Sequence, residues 1–473
     1  MPFLSGLLAS IAERGRAMIR RKDEASPSIL LPAPGARSLI DLCQTLLEQH
    51  GEASRVKLAV EILARWRGLK DSGKRDFLVA LAEGFGPDAV RLSGAIDAYL
   101  AKPGAETCAE LHEAAEPRRQ EILRRLNLAP LGTISLVRMR EEAFKHMAQY
   151  PVLNALDSDF VHLFLSWFNR GFLVLRQIDW TTPANILEKI IRYEAVHQIR
   201  DWNDLRNRLE PADRRCFAFF HPALIDEPLI FVEVALAPSI ADNIGGLLAE
   251  ERTAIEADKA TTAVFYSISN CQDGLRGISF GDFLIKQVVE ELCRELPDLS
   301  TFVTLSPAPG FGRWLARERA KGEDSALTAA QIEALAGLDQ PGWTENGRAR
   351  KALKPVVMSA AASFLLTAKG KGGKPMDPVS RFHLGNGARL ERINWLANVS
   401  ARGLEESHGV MVNYLYDLPW IESNHEAYER DGRVIHSAEV EALLPAQAVI
   451  ELAPAAKPKG LSGFARLTRR SQG

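Results

Sequence analysis

"TAVFYSISNCQDGLRGISFGDFLIKQVVEELCREL" (Thr262–Leu296) carries the reading of the fold. Thr262–Ser269 is a short apolar run rich in residues that favour strands. It gives way to Gly274, Gly277 and Gly281, three glycines within eight residues, and then to apolar residues at helical spacing. The pattern predicts a strand, a loop, and a helix starting near Gly281. A helix N-terminus exposes unpaired N–H groups and the positive end of its dipole, so bare backbone there can wrap a phosphate or pyrophosphate. Glycine also suits a strand-to-helix turn on conformational grounds alone. From this stretch by itself both readings stand.

Its surroundings extend the pattern. Phe172–Trp180, Cys216–His221, Leu229–Leu236, Thr301–Leu305 and Gly409–Leu418 are further strand-like runs, several of them separated by helical stretches such as "PANILEKIIRYEAVHQI". Upstream, from Leu39 to about Tyr150, the chain is helical by period. "SRVKLAVEILARWRGL" sets Val56, Leu58, Val60, Leu63 and Trp66 at helical spacing, and "KRDFLVALAEGFG" and "RRQEILRRLNLA" continue it. The expected fold class is α+β, a helix bundle followed by a mixed α/β domain. The expected divisions are a basic segment and proline-rich linker over 1–38, a helical domain over 39–150, a catalytic domain over 151–455 and a basic tail over 456–473. The bundle presents no chemistry: His50, His112 and His146 sit singly among charged residues. Packing or contacts between copies are its expected roles.

Composition excludes several classes. The chain has 473 residues, 46% hydrophobic and 25% charged, with a formal net charge of −2, so nothing draws it to nucleic acid. No apolar run approaches the ~20 residues that span a bilayer. Cys43, Cys108, Cys216, Cys271 and Cys293 form no C-x-x-C pair and no zinc-ligand spacing with histidine, so free thiols in a reducing compartment and no metal are expected. The first residues, "MPFLSGLLASIAERGRAMIRRK", are basic and amphipathic, which fits an organelle address or a plain N-terminal helix.

Further constellations follow the loop. Arg276-x-x-Ser279-x-Gly281 has the spacing of the Arg/Gln-x-x-Gly-x-Gly/Ala loop of GNAT-type acyltransferases, which holds the pyrophosphate of coenzyme A; Ser279 replaces the first glycine. Gln272-x-Gly274-x-x-Gly277 adds more bare backbone. A dinucleotide fold fits less well, since no Gly-x-Gly-x-x-Gly stands at a first βα turn. In "FVTLSPAPGFGRWL" a strand ends at Ser306 and prolines stiffen the turn that follows. In "DPVSRFHLGNGARLERINWLANVS" His383 sits among polar and glycine residues. Spacing alone does not bring Ser306 and His383 together. His221 with Asp226 and Glu227 reads either as a cluster or as a proline-bounded connection.

"FYSISNCQDGLRGISFGDFLIKQVVEEL", "TLSPAPGF", "RFHLGNGARLERINWLANVS" and "GVMVNYLYDL", in this order, resemble the malonyl-CoA decarboxylase family, as does "HPALIDEPLIFVEVALAPSIADNI" upstream. The resemblance spans roughly Leu39 to Pro445. It implies a helical N-terminal domain, a GNAT-like catalytic domain, and conversion of malonyl-CoA to acetyl-CoA and CO2. By position it implies that Ser306 and His383 are the catalytic serine and histidine, with Tyr414 beside them. Arg276, Gly277, Ile278, Ser279, Phe280, Gly281 and Asp282 become the coenzyme A loop. Some relatives carry glutamate where this chain has Ser279, and no role of that carboxylate transfers. The thioester carbonyl accepts the electrons that CO2 leaves behind, so no metal, biotin, thiamine or pyridoxal is expected. Ser306 is expected to position the malonyl group, and His383, of a residue type titrating near pH ~6.5, to protonate the α-carbon. A homo-oligomer formed through the helical domain and a cytoplasmic location complete the expectations. A GNAT-type acetyltransferase acting on an amine, and a non-catalytic acyl-CoA sensor, are the competing readings.

Overall fold

The helical period of the first third becomes helices. In the computed structural model, which describes residues 39–278 and 284–445, the Glu52–Arg67 helix buries Ala59, Ile62, Leu63 and Trp66, an i, i+3, i+4, i+7 stripe. Leu58 and Val60, set on that face by spacing, are only half-buried. Trp66 meets Phe77 of the Asp71–Gly84 helix with ring centroids 5.4 Å apart. Each such side chain stabilises the bundle by about 1.5–3 kcal/mol through burial. The Arg118–Asn127 and Leu153–Trp167 helices add a buried ion pair, Arg119 with Asp159, whose carboxylate also accepts from Gln120 Nε2 at 2.7 Å. A different case is the hairpin of the Ala89–Ala101 and Ala105–Ala115 helices: no residue of its first helix is buried, and Val90 and Leu100 are 85% and 70% exposed.

Strands β1 (Val174–Ile178), β2 (Arg214–Phe220), β3 (Pro228–Ala237) and β4 (Thr262–Asn270) run antiparallel in sequence order. β5 (Thr301–Thr304) then joins β4 in parallel, with Thr262 opposite Thr301 and Phe265 opposite Thr304. A parallel pair needs a crossover, and the glycine loop with the Leu284–Glu295 helix supplies it. All ten residues of β3 are buried, which requires cover on both faces. On one face Ile186, Leu187 and Ile190 of the Ala184–Tyr193 helix pack with Ile178, Ala218 and Phe231 of the strands.

Contacts group the chain into two compact units, one ending at Ser306 and the other beginning at Pro307, so that the boundary falls between the two residues of β6 (Ser306–Pro307). The second unit holds the antiparallel pair β7 (Arg389–Asn394) and β8 (Met411–Leu415), with Leu390 opposite Tyr414. Its core includes Phe311 and Trp314, 5.7 and 5.3 Å from Phe364 of the Gly347–Leu366 helix. A helical region followed by a mixed sheet is the α+β class that the sequence predicts. All five cysteines are free thiols. Among the described residues no helix is long and apolar enough to cross a membrane.

Candidate active site

The glycine loop is anchored from behind. After β4, Gln272 and Asp273 lead into a single 3-10 turn, Asp273–Leu275, in which Leu275 N–H donates to Gln272 O at 2.9 Å, Arg276 N–H to Asp273 O at 2.9 Å and Ile278 N–H to Leu275 O at 3.0 Å. Those three amides serve the turn itself. Gly277 follows at φ +81, where a side chain is strained although a Cβ would meet nothing within 4 Å. Gly274 has the opposite reason to be glycine: a Cβ there would lie 2.0 Å from Val137 O of the Gly132–His146 helix. From that helix Arg140, buried, donates through Nη1 to Gly274 O and to Arg276 O, both at 2.9 Å, and through Nε to Asp157 at 2.7 Å. The exposed Arg276 guanidinium lies over the Phe144 ring, 4.4 Å from its centroid. Ile278 is buried. Ser279, Phe280, Gly281 and Asp282, assigned to this loop by resemblance, lie outside the described residues.

Ser306 closes the first unit. It follows β5, is buried, and donates from Oγ to Thr304 Oγ1 at 2.9 Å. Alternation along an extended chain sets these hydroxyls, two residues apart, on one side of the backbone.

His383 belongs to the second unit, in the Pro378–Gly385 helix. Asp377 caps that helix, its carboxylate accepting Ser380 N–H at 2.7 Å and Gly310 N–H at 3.4 Å, while Pro378 takes the first helical position, where no amide is needed. Ser380 Oγ in turn lies 2.7 Å from Tyr414 Oη. One helical turn on from Val379, His383 is 3% exposed; its ring stacks on Tyr414 at 4.7 Å between centroids with 23° between planes, and its Nδ1 lies 2.8 Å from Tyr416 Oη. Burial lowers the His383 imidazole to about 3, raises the Asp377 carboxyl, and pushes both tyrosines well above the usual phenol range. As a residue type histidine titrates near pH ~6.5; desolvation by the two tyrosine rings and the helix overrides that value here.

The structure therefore joins His383 to Tyr414 and adds Tyr416, which the sequence reading passed over. Its signal was available: "NYLYD" repeats tyrosine at the two-residue period of a strand. Next to Tyr414, Asn413 Oδ1 accepts from Asn394 Nδ2 at 2.8 Å and from Arg392 Nε at 3.1 Å, which ties β8 to β7. His221 is a connector: its Nδ1 accepts Ala223 N–H at 3.2 Å, its Nε2 meets Trp167 O at 3.0 Å, and Glu227 pairs with Lys189 at 2.9 Å. The proline-bounded connection is the reading that fits.

Two family models match the chain, the malonyl-CoA decarboxylase N-terminal domain over residues 85–168 and the malonyl-CoA decarboxylase C-terminal domain over residues 171–453. The mitochondrial malonyl-CoA decarboxylase of Anser anser anser is 34% identical over 407 residues, covering 78% of this chain and 80% of the relative. Among solved structures, the malonyl-CoA decarboxylase of Rhodopseudomonas palustris is similar at 58% identity and a TM-score of 0.83, covering 85% of this chain and 98% of the other. That of Agrobacterium vitis is similar at 55% identity and a TM-score of 0.83, covering 86% and 99%.

Proposed function

This chain belongs to the malonyl-CoA decarboxylase family, and from that membership we propose that it converts malonyl-CoA to acetyl-CoA and CO2, with the handle held at the Arg276–Asp282 loop and the chemistry carried by Ser306 and His383. The observation that carries the assignment of the histidine is its burial against two tyrosines, stacked on Tyr414 and with Nδ1 2.8 Å from Tyr416 Oη. Ser306 aligns the malonyl carboxylate so that the breaking C–C bond overlaps the thioester π-system. CO2 leaves, and its bonding electrons pass into the thioester as an enolate. The imidazolium of His383 then gives its proton to the α-carbon, and the ring regains one from solvent; overall one proton is consumed. The thioester is itself the electron sink, so the reaction needs no metal, biotin, thiamine or pyridoxal, and coenzyme A enters only as part of the substrate.

A resting imidazole at about 3 is neutral at pH 7. The substrate corrects this. A carboxylate arriving beside the ring favours the charged form, so malonyl-CoA brings with it the field that loads the donor. In the imidazolium both ring nitrogens are donors, so Nδ1–H donates to Tyr416 Oη, held as a phenol, and Nε2 carries the transferred proton. Tyr414 backs the ring.

Five free thiols suit a cytoplasmic enzyme. The apolar residues exposed on the Ala89–Ala101 helix suit contacts between copies of the chain, giving a homo-oligomer through the helical region. The function is tested by incubating the protein with malonyl-CoA alone. Acetyl-CoA and CO2 in equal amounts, with no acceptor present, are expected. Turnover only with an added amine would return the acetyltransferase reading, and intact malonyl-CoA the sensor reading. Adding methylmalonyl-CoA measures how strongly an extra methyl is rejected, a difference of about 1–3 kcal/mol in pockets of this kind.

A further inference from the structure

The Gly132–His146 helix lies in the region to which sequence assigned no chemistry, yet it reaches the loop that follows β4. Arg140 Nη1 stands 2.9 Å from two carbonyl oxygens of that loop, Gly274 O and Arg276 O. A trans peptide is planar, with its C=O and N–H pointing in opposite directions. Fixing Arg276 O toward Arg140 therefore turns the next amide, Gly277 N–H, to the side away from Arg140. The neighbouring amides of Leu275, Arg276 and Ile278 donate within the turn, so Gly277 N–H is the loop amide whose direction this contact sets. Its positive φ is the backbone conformation that accommodates the turn.

We propose that Arg140 is a positioning residue for the coenzyme A handle: it holds the Gly274 and Arg276 carbonyls from the helical region and so presents Gly277 N–H and the Arg276 side chain to the pyrophosphate. Further observations point the same way. Asp157 holds the other edge of the guanidinium through Nε at 2.7 Å, which fixes its plane. Phe144, one turn along the same helix, supports the exposed Arg276 guanidinium on its ring. Gly274 lets the loop sit directly against Val137 O. Arg140 has no direct role in bond breaking; it acts through the loop. The helical region is on this account part of the substrate site. The inference rests on the reading of this loop as the coenzyme A site.

Lysine at this position keeps the charge and reaches one carbonyl at a time. Arg140→Lys should raise KM for malonyl-CoA by on the order of tenfold, while kcat changes less than about threefold, because the lost alignment concerns the handle and not the reacting carbons. Gly274→Ala, which pushes the loop off the helix with Arg140 intact, should do the same. The discriminating substrate is malonyl-pantetheine, which keeps the thioester and lacks the pyrophosphate. On it the loss in kcat/KM caused by either substitution should shrink toward none. An unchanged KM for malonyl-CoA in both variants, or an equal loss on both substrates, overturns the proposal. Gly277→Val separates the two levels of the argument. If it raises KM while Arg140→Lys and Gly274→Ala do not, the loop reading stands and the role of Arg140 falls; if Gly277→Val leaves KM and coenzyme A affinity untouched, the loop reading itself has failed.

Discussion

The loop after β4 and the His383 cluster solve opposite problems. The loop keeps Arg276 exposed and uses backbone, a left-handed glycine and a distant buried arginine to hold a shape. The cluster removes its titratable group from water and surrounds it with aromatic rings. A charged, solvated handle is recognised by groups that stay charged and solvated, and geometry is what needs protection there. Proton transfer to carbon needs a group whose charge state responds to the substrate, and burial supplies that response. Disturbing the loop should therefore act on binding, and disturbing the cluster on rate.

The contrast is sharpest at the cluster. On the proposed roles, His383→Asn and Ser306→Ala should each lower kcat by about 10²–10⁴ with little change in coenzyme A affinity, and a double variant that loses less than the product of the two factors is the expected sign of two groups serving one step. Single-turnover assays and binding of coenzyme A check both halves of the statement. Near-normal turnover in folded His383→Asn would direct the donor role to Tyr414 or Tyr416.

Tyr416→Phe is expected to be milder. Losing one hydrogen bond to Nδ1 should reduce kcat by about tenfold and shift the pH profile, with KM retained. A rise in KM alone would blur the division between the two regions.

Burial of His383 also has a signature in stability. Its folded value, about 3, lies below the ~6.5 of an unfolded histidine, so the unfolded chain binds the extra proton between those values. This contribution is complete above about pH 6.5 and is lost as pH falls toward 3. Between pH 7 and pH 5 it amounts to about 2 kcal/mol, and a His383→Gln protein should lose that much less stability on acidification. Urea midpoints at the two pH values measure the difference; identical slopes in the two proteins would mean the ring is solvated. The smallest effect on turnover is expected at the periphery, where Val90→Glu with Leu100→Asp should lower the mass of the particle in sedimentation while kcat changes little. A particle mass unaltered by both charges would remove this hairpin as the contact.

The sequence by itself determined the order of elements. Strands β1 to β5 and β8 follow from runs of β-branched and aromatic residues, the bundle from a 3.6 period, and the loop from glycines between a strand and a helix. It missed β7, because Arg389–Asn394 is half charged and its pairing depends on β8, a partner it meets at Leu390 and Tyr414. Resemblance to a family singled out Ser306, His383 and Tyr414, and of these the structure stacks His383 on Tyr414. Tertiary structure alone decided the rest. Arg140 meets carbonyls 134 and 136 residues away, a pairing that no local pattern encodes. The proton affinity of His383 is likewise a property of what covers it: the rings of Tyr414 and Tyr416, more than thirty residues later in the chain, help exclude the water that would have kept it near neutrality.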